Sequence, residues 1–380
     1  MEARKTLLTT DNKLPVPESD AAAHSELLTE RIRAAIAASP DQWIDFERYM
    51  EMALYEPGLG YYAAGAAKLG QAGDFVTAPE LTPLFGRFIA RQIQPLLAGL
   101  DHPKILELGP GSGALADALL RELGNLGQAL DGYWLLEPSP DLAERQTRRL
   151  AAWGAQTTWL DRPPAAPFEG VILANEVVDA LPVSRFQVVG ERPVPFGVGW
   201  QDGLTWRRHD GATASVAREQ LPPLKDGHIG EWCPRLEAWF AAVTAQLRRG
   251  AVIGIDYGLP AASYYHGDHP EGRLVCHYRQ RRHADPFCWP GLCDISAWVD
   301  FSALARAGAR AGLRLAGFTT QGQWLAEGGL AALLQGASPA DLAAVKTLLL
   351  PGEMGEAFKV MAFSRGLRFE LPGRDLRDRL

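Results

Sequence analysis

Chemistry is most strongly suggested by Glu107-Leu108-Gly109-Pro110-Gly111-Ser112-Gly113, which closes a short apolar stretch beginning at Lys104 and leads into a helical stretch, Ala114 to Leu123. Glycines at alternate positions let the backbone turn sharply and approach a ligand with no side chain between them. The helix that follows offers free N–H groups at its start. Two ligand classes use such a turn. A dinucleotide would seat its pyrophosphate on the helix N-terminus, and Gly109-x-Gly111-x-x-Ala114 satisfies the loose form of that fingerprint. S-adenosylmethionine carries no phosphate, and an acid two positions before the first glycine would lie near its cationic methionine portion. Glu107 stands there. Beside a pyrophosphate that carboxylate would be repelled, so the spacing favours the methyl donor.

Further acids follow at the ends of predicted strands. Gly132 to Glu137 ends in a carboxylate suited to ribose hydroxyls, which both ligand classes require. Gln156 to Leu160 is followed by Asp161, where an acid meets an adenine amino group and Leu160 packs on the ring. Gly170 to Ala174 leads into Asn175, Glu176 and Asp179, where an acceptor would be held, because ligands of open α/β sheets sit beyond the carboxyl ends of the strands. Methyl transfer is an in-line displacement, so the catalyst mainly aligns the reacting atoms. For a guanidinium acceptor, a bidentate acid fixes the planar fork and leaves one nitrogen richer in electron density. Glu176 with Asp179 suits that task; equally, Asn175 and Glu176 could tie down the turn and Asp179 cap a helix. Asp74, Phe75 and Thr77 precede the first strand and are candidates to contact the donor, although Thr77-x-x-Glu80 also fits a capping box.

The elements that must position these residues are α/β. Strands and helices alternate from about residue 101, which implies a mostly parallel Rossmann-like sheet. Two interruptions are expected within 101–380: a β-rich insertion at about 182–235, with a hairpin turn at Asp202-Gly203, and a long loop-rich segment at 257–300. Residues 25–100 form a helical N-terminal region covering the cofactor site, and residues 1–24 a polar, mobile extension. There is no internal repeat.

Composition narrows the partners. The 380 residues carry 38 basic and 45 acidic side chains, a net charge of −7. That argues against nucleic acid, whose binders need a basic face to displace counterions. Cys233, Cys276, Cys288 and Cys293 form no C-x-x-C pair, and His283 with Cys288 and Cys293 lacks a fourth ligand at zinc spacing, so no metal is expected. Reduced thiols point to a reducing compartment. No apolar run approaches the roughly 18 residues of a membrane span. The N-terminus has neither the apolar core of a signal peptide nor the acid-poor character of a transit peptide. The expected location is cytoplasmic.

In order along the chain, YEPGLGYYAAG (55–65), GDFVTAPELTPLFGRFIARQ (73–92), ILELGPGSGAL (105–115), LLEPSPDL (135–142), ANEVVDALPVSRF (174–186), IDYG (255–258) and RRHADPFCWPGLCDISAWVDF (281–301) resemble the MidA-like family of class I S-adenosylmethionine-dependent methyltransferases. Bacterial members are relatives of the mitochondrial arginine methyltransferase of complex I assembly. The resemblance implies the class I fold, S-adenosylmethionine as donor, and a protein arginine as acceptor, with a respiratory-complex subunit one candidate. It implies donor binding by Glu107, Gly109, Gly111, Gly113 and Glu137, and places Asn175, Glu176 and Asp179 after the fourth strand. Two alternatives stand beside it: a non-catalytic assembly factor retaining the donor fold, or a methyltransferase acting on a small molecule.

Overall fold

In the computed structural model, which describes residues 14–64, 77–216 and 221–380, the chain opens with helix α1 (Ser19–Ala38). Leu28, Ile32 and Ile36 recur every four residues on its buried face. The helix starts inside the stretch expected to be a mobile extension. Asp20 stands in the first turn, where it favours the helix dipole, and alanines 21–23 propagate the helix without any apolar period to reveal it. Helix α2 (Phe46–Tyr55) is capped by Asp45, which accepts from the Glu47 N–H at 2.8 Å. The short α3 (Ala78–Leu81) leads into α4 (Pro83–Leu97).

Next come β1 (Pro103–Leu108), α5 (Ala114–Asn125), β2 (Gly132–Leu136), α6 (Pro140–Arg149), β3 (Thr157–Leu160) and β4 (Phe168–Asn175). The predicted β-rich insertion is a four-stranded antiparallel sheet of β5 (Ser184–Val189), β6 (Arg192–Trp200), β7 (Leu204–Arg208) and β8 (Ile229–Trp232), ordered β7-β6-β5-β8. Its β6–β7 turn holds Asp202 and Gly203 at positive φ. Helix α7 (Leu236–Thr244) and the long β9 (Leu247–Leu259) return the chain to the main sheet. The second insertion is more regular than expected. After α8 (Ala261–Tyr264), β10 (Leu274–Tyr278), β11 (Arg281–His283) and β12 (Asp294–Ala297) form a three-stranded antiparallel sheet. Strands of three to five residues are too short to show a period-two pattern. The chain then adds β13 (Val299–Asp300), α9 (Phe301–Arg310), β14 (Arg314–Thr320), α10 (Gln321–Glu327), α11 (Pro339–Leu349), α12 (Met354–Ala357) and β15 (Phe358–Arg365).

The main sheet runs β14-β15-β9-β4-β1-β2-β3, with β13 paired to β9. Strands β9, β4, β1, β2 and β3 are parallel, while β15 is antiparallel to both its neighbours. Covered on both faces, the central strands are apolar almost throughout. Strand order reverses between β4 and β1, which opens a crevice at their carboxyl ends. Helix α4 buries Phe85, Phe88 and Ile89 in the same core as Ile105 and Leu119, so packing is continuous across residue 100. Gly86 permits that approach, since a Cβ there would lie 2.6 Å from the Ala118 Cβ. Helices α1 and α2 pack instead on the two insertions: Leu28, Ile32, Tyr49 and Tyr61 share a core with Val183, Val198, Cys276 and Ile295.

Candidate functional site

A cavity of about 530 Å³ occupies that crevice. Its wall brings together Glu107, Gly109, Gly111, Glu137 and Asp161 with Thr77, Asn175 and Glu176, residues drawn from across a hundred positions of sequence. Gly109 has φ +56° and turns the chain directly off β1. A side chain there would be strained and would place its Cβ 3.2 Å from Val177, on the turn that follows β4. Gly113, at φ +81°, caps α5 and lies off the wall.

Glu107 and Glu137 end adjacent strands, and both are buried. Glu107 accepts a hydrogen bond from the Tyr133 hydroxyl at 2.6 Å. Burial pushes its carboxyl up to about 7, with the charge of Glu137 adding to the shift and the Tyr133 bond opposing it. Glu137 accepts from the Ser139 N–H at 2.9 Å and from Gln146 Nε2 at 3.1 Å, and burial pushes it too up to about 7. Gln146 escaped the sequence reading. It is fully buried on α6, donates also to the Gly111 carbonyl at 2.8 Å, and accepts from Trp159 Nε1 at 2.9 Å. One amide thus joins the glycine turn, the second-strand acid and β3. A glutamine amid the polar run PDLAERQTRR carries no signal that it is buried.

The other expected contacts are placed less centrally. Asp161 is exposed at the rim and ion-pairs with Arg162 at 3.2 Å. Leu160, expected against a nucleobase, packs on the sheet core beside Trp134 and Leu136. Thr77 lies on the wall and begins α3, yet its side chain makes no cap, so the capping box does not form. The Glu80 carboxylate is engaged elsewhere, by the Ser112 hydroxyl and by Arg149. Asp74 and Phe75 lie outside the described residues. His283 sits on β11 opposite Cys276, away from the cavity wall.

Beyond β4 the site turns acidic. Glu176 adopts φ +54°, a left-handed conformation unfavourable for a side chain of its size, and its N–H donates to the Ile255 carbonyl at 2.9 Å. Its Oε1 accepts from Asn175 Nδ2 at 3.1 Å and the Ala78 N–H at 3.4 Å. Burial first, then the charge of Asp179, push its carboxyl up to about 8. Asp179 is buried behind the wall and takes the Tyr257 hydroxyl at 2.6 Å; burial raises it to about 6 against that bond. Asp256 accepts from the N–H groups of Val178, Asp179 and Tyr257, which pins the turn after β4 to the end of β9.

These residues fit S-adenosylmethionine. A Cβ at Gly109 would crowd the turn, two buried acids face one cavity, and the Asn175 Oδ1 is buried without a hydrogen-bond partner among the described residues. Among the described residues, Arg149 beside the glycine turn is already engaged by Ser112 and Glu80, and Arg162 on the cavity wall is paired with Asp161, so neither is left to meet a pyrophosphate.

Comparison with known proteins agrees. Residues 88–319, more than half the chain, match a family of S-adenosyl-L-methionine-dependent methyltransferases. A crystal structure from Burkholderia thailandensis with S-adenosyl-homocysteine bound is 40% identical, covers 95% of this chain and 99% of its own, and superposes with a TM-score of 0.89. The protein arginine methyltransferase NDUFAF7 homolog, mitochondrial, of Drosophila melanogaster is 26% identical over 92% of this chain and 88% of that protein. The Bos taurus mitochondrial protein arginine methyltransferase NDUFAF7 is 30% identical over 69% of this chain and 65% of its own length. From the class I sheet, the glycine turn and these matches together, the chain belongs to the MidA-like family of S-adenosylmethionine-dependent methyltransferases.

Proposed function

We propose that this methyltransferase modifies a guanidinium nitrogen of arginine in another protein. The observation that carries the reading is Glu176: a strained, enclosed carboxylate at the head of β4, on the same wall as the donor-side acids and with no ion pair to a basic side chain among the described residues. The relatives described as protein arginine methyltransferases support it.

Glu107 and the 109–113 turn hold the amino-acid portion of the donor, Glu137 its ribose hydroxyls, and Asp161 the rim near the adenine, with Thr77 on the facing wall. Bound S-adenosylmethionine supplies an electrophilic methyl group on a positively charged sulfur. Glu176 accepts two guanidinium N–H groups, which fixes the fork and aligns the remaining nitrogen for in-line attack. Asn175 holds Glu176 in place. Burial raises the Glu176 carboxyl to about 8 in the empty site; the arriving guanidinium cation favours its ionised form, and that carboxylate then takes the proton the methylated nitrogen must lose.

The test supplies purified protein with methyl-labelled S-adenosylmethionine and extract from cells lacking the protein, then analyses acid hydrolysates. Labelled methylarginine is expected, with Glu176→Gln lowering the rate ~100-fold or more while donor affinity stays within a few-fold. Label confined to lysine or to small metabolites would refute the arginine reading.

A further inference from the structure

The wall of the donor cavity carries two tyrosines as well as its acids. Tyr55 ends α2, Tyr62 follows in the loop beyond it, and both line the cavity with Asn175, Glu176 and Ala180. Their rings stack with centroids 5.5 Å apart and planes inclined by 23°. Each hydroxyl is already spent. Tyr55 donates to the Ala180 carbonyl at 2.9 Å, and Tyr62 donates to Asp294 Oδ1 at 2.9 Å. Burial first, then the charge of Asp294, hold both phenols well above their ordinary range, so both stay protonated. Tyr61 is buried and packs edge-on against Tyr62 with centroids 5.0 Å apart, which steadies the stack. What the pair offers the cavity is ring carbon, neutral and held in place.

The covalent order of the donor decides which part of it they meet. Its amino-acid end lies at Glu107 and the Gly109 turn, and its ribose at Glu137. The sulfur joins those two parts and so lies between them. Its methyl group must face the wall from which an acceptor approaches, and that wall holds Asn175, Glu176, Tyr55 and Tyr62. A sulfonium has no N–H to donate, so hydrogen-bond acceptors cannot single out its charge as they do that of an ammonium. An aromatic ring can, because its quadrupole places negative charge on the face.

We propose that the Tyr55–Tyr62 stack is the sulfonium subsite, an aromatic wall that favours the charged donor over its spent product. The proposal rests on the donor placement above and is independent of which acceptor is methylated. In transfer, the lone pair of the acceptor forms a bond to the methyl carbon as the S–C bond breaks. The electron pair of that bond stays on sulfur, and the positive charge leaves with the methyl group. S-adenosyl-homocysteine is then a neutral thioether and loses the attraction that the rings gave its precursor. The step that makes the product thus also loosens it, which eases its exchange for fresh donor. Tyr55 comes from α2 and is tied to the turn after β4, so the wall exists only when the N-terminal region is docked on the sheet.

The test titrates the full-length protein with S-adenosylmethionine and, separately, with S-adenosyl-homocysteine by calorimetry. It compares the wild type with Tyr55→Leu, Tyr62→Leu, Tyr55→Phe and Tyr62→Phe. Each leucine variant is expected to lose ~10-fold in affinity for S-adenosylmethionine while S-adenosyl-homocysteine stays within about two-fold, which also reports that the variant folds. Phenylalanine keeps the ring, so both phenylalanine variants are expected to retain the wild-type ratio of the two affinities. A ratio unchanged in both leucine variants would overturn the subsite, even if both affinities fell together. A ratio lost in the phenylalanine variants would move recognition to the hydroxyls and overturn the aromatic wall. Glu107→Gln keeps this outcome apart from the donor placement. If it weakens both ligands while the leucine variants hold the ratio, only the wall fails; if it too changes neither, the placement fails with it.

Discussion

Glu107 and Glu137 behave as carboxyls that their surroundings hold back from ionising: burial lifts both from the ordinary 4.5 to about 7. The folded chain then binds those protons more tightly than the unfolded chain does. Stability of the ligand-free protein is therefore fullest at low pH within this pair's range, and it declines as pH rises from about 4.5 through about 7. Donor affinity moves the opposite way. An ammonium and ribose hydroxyls want the ionised acids, so binding strengthens as pH rises through the same window. Thermal unfolding with and without S-adenosylmethionine is expected to show a ligand-induced shift that grows between about pH 6 and pH 8. Glu107→Gln and Glu137→Gln are each expected to weaken the donor ~10-fold and to flatten that growth. A shift that stays constant with pH in the wild type would mean these acids do not meet the donor in their charged form.

At the scale of elements, the donor site depends on how β1, α5 and α6 meet. The turn from β1 into α5 needs φ +56° at Gly109, and α6 supplies Gln146 to brace the turn from behind. Gly109→Ala is expected to destabilise the fold by only about 1–2 kcal/mol, because a single left-handed alanine is strained but tolerated. Its effect on donor affinity is expected to be larger, since the added methyl meets Val177 at 3.2 Å, on the turn shared with Glu176. Gln146→Leu leaves the Glu137 carboxylate and the Gly111 carbonyl each short of a donor, an expected loss of about 1–3 kcal/mol. Chemical denaturation and donor titration on the two variants separate the effects. If Gln146→Leu binds S-adenosyl-homocysteine as the wild type does, the bracing role falls away.

Across the whole molecule, the acceptor side is assembled by parts distant in sequence. Helices α1 and α2 pack on both insertions, and a buried ion pair between β5 and β8 of the first insertion also bonds the backbone of the second at Glu271 and Arg273. Arg185 Nε donates to Glu231 at 2.8 Å, its Nη2 donates to the Glu271 carbonyl at 2.6 Å, and its guanidinium lies 4.3 Å from the centre of the Trp206 ring. Removing one partner strands a buried charge. Arg185→Met is expected to destabilise the protein by about 3–5 kcal/mol, and adding Glu231→Leu to recover part of that loss. Denaturant unfolding of the single and double variants measures both. A double variant no more stable than the single would show that Arg185 acts mainly through its ring and carbonyl contacts.

Much of this architecture was legible before any folding was considered. Short apolar runs ending in Glu107, Glu137, Asp161 and Asn175 announce parallel strands, since a strand buried on both faces must be apolar until it emerges at the ligand edge. The alternate glycines announce the turn, because left-handed backbone admits little else. Where periodicity is weak, sequence fell silent: α1 opens on alanines, β10–β12 are too short to alternate, and α11 leaves Leu342 exposed, with Leu350 exposed just past its end. Tertiary structure alone decided which polar side chains are buried. Gln146 looks like an ordinary surface residue in a linear reading and becomes a brace only once strands far apart in sequence lie side by side, and the same approach brings Tyr62 to Asp294 and Tyr257 to Asp179. The reason is that burial and charge shifts depend on what else is within a few ångströms, and chain order does not carry that distance.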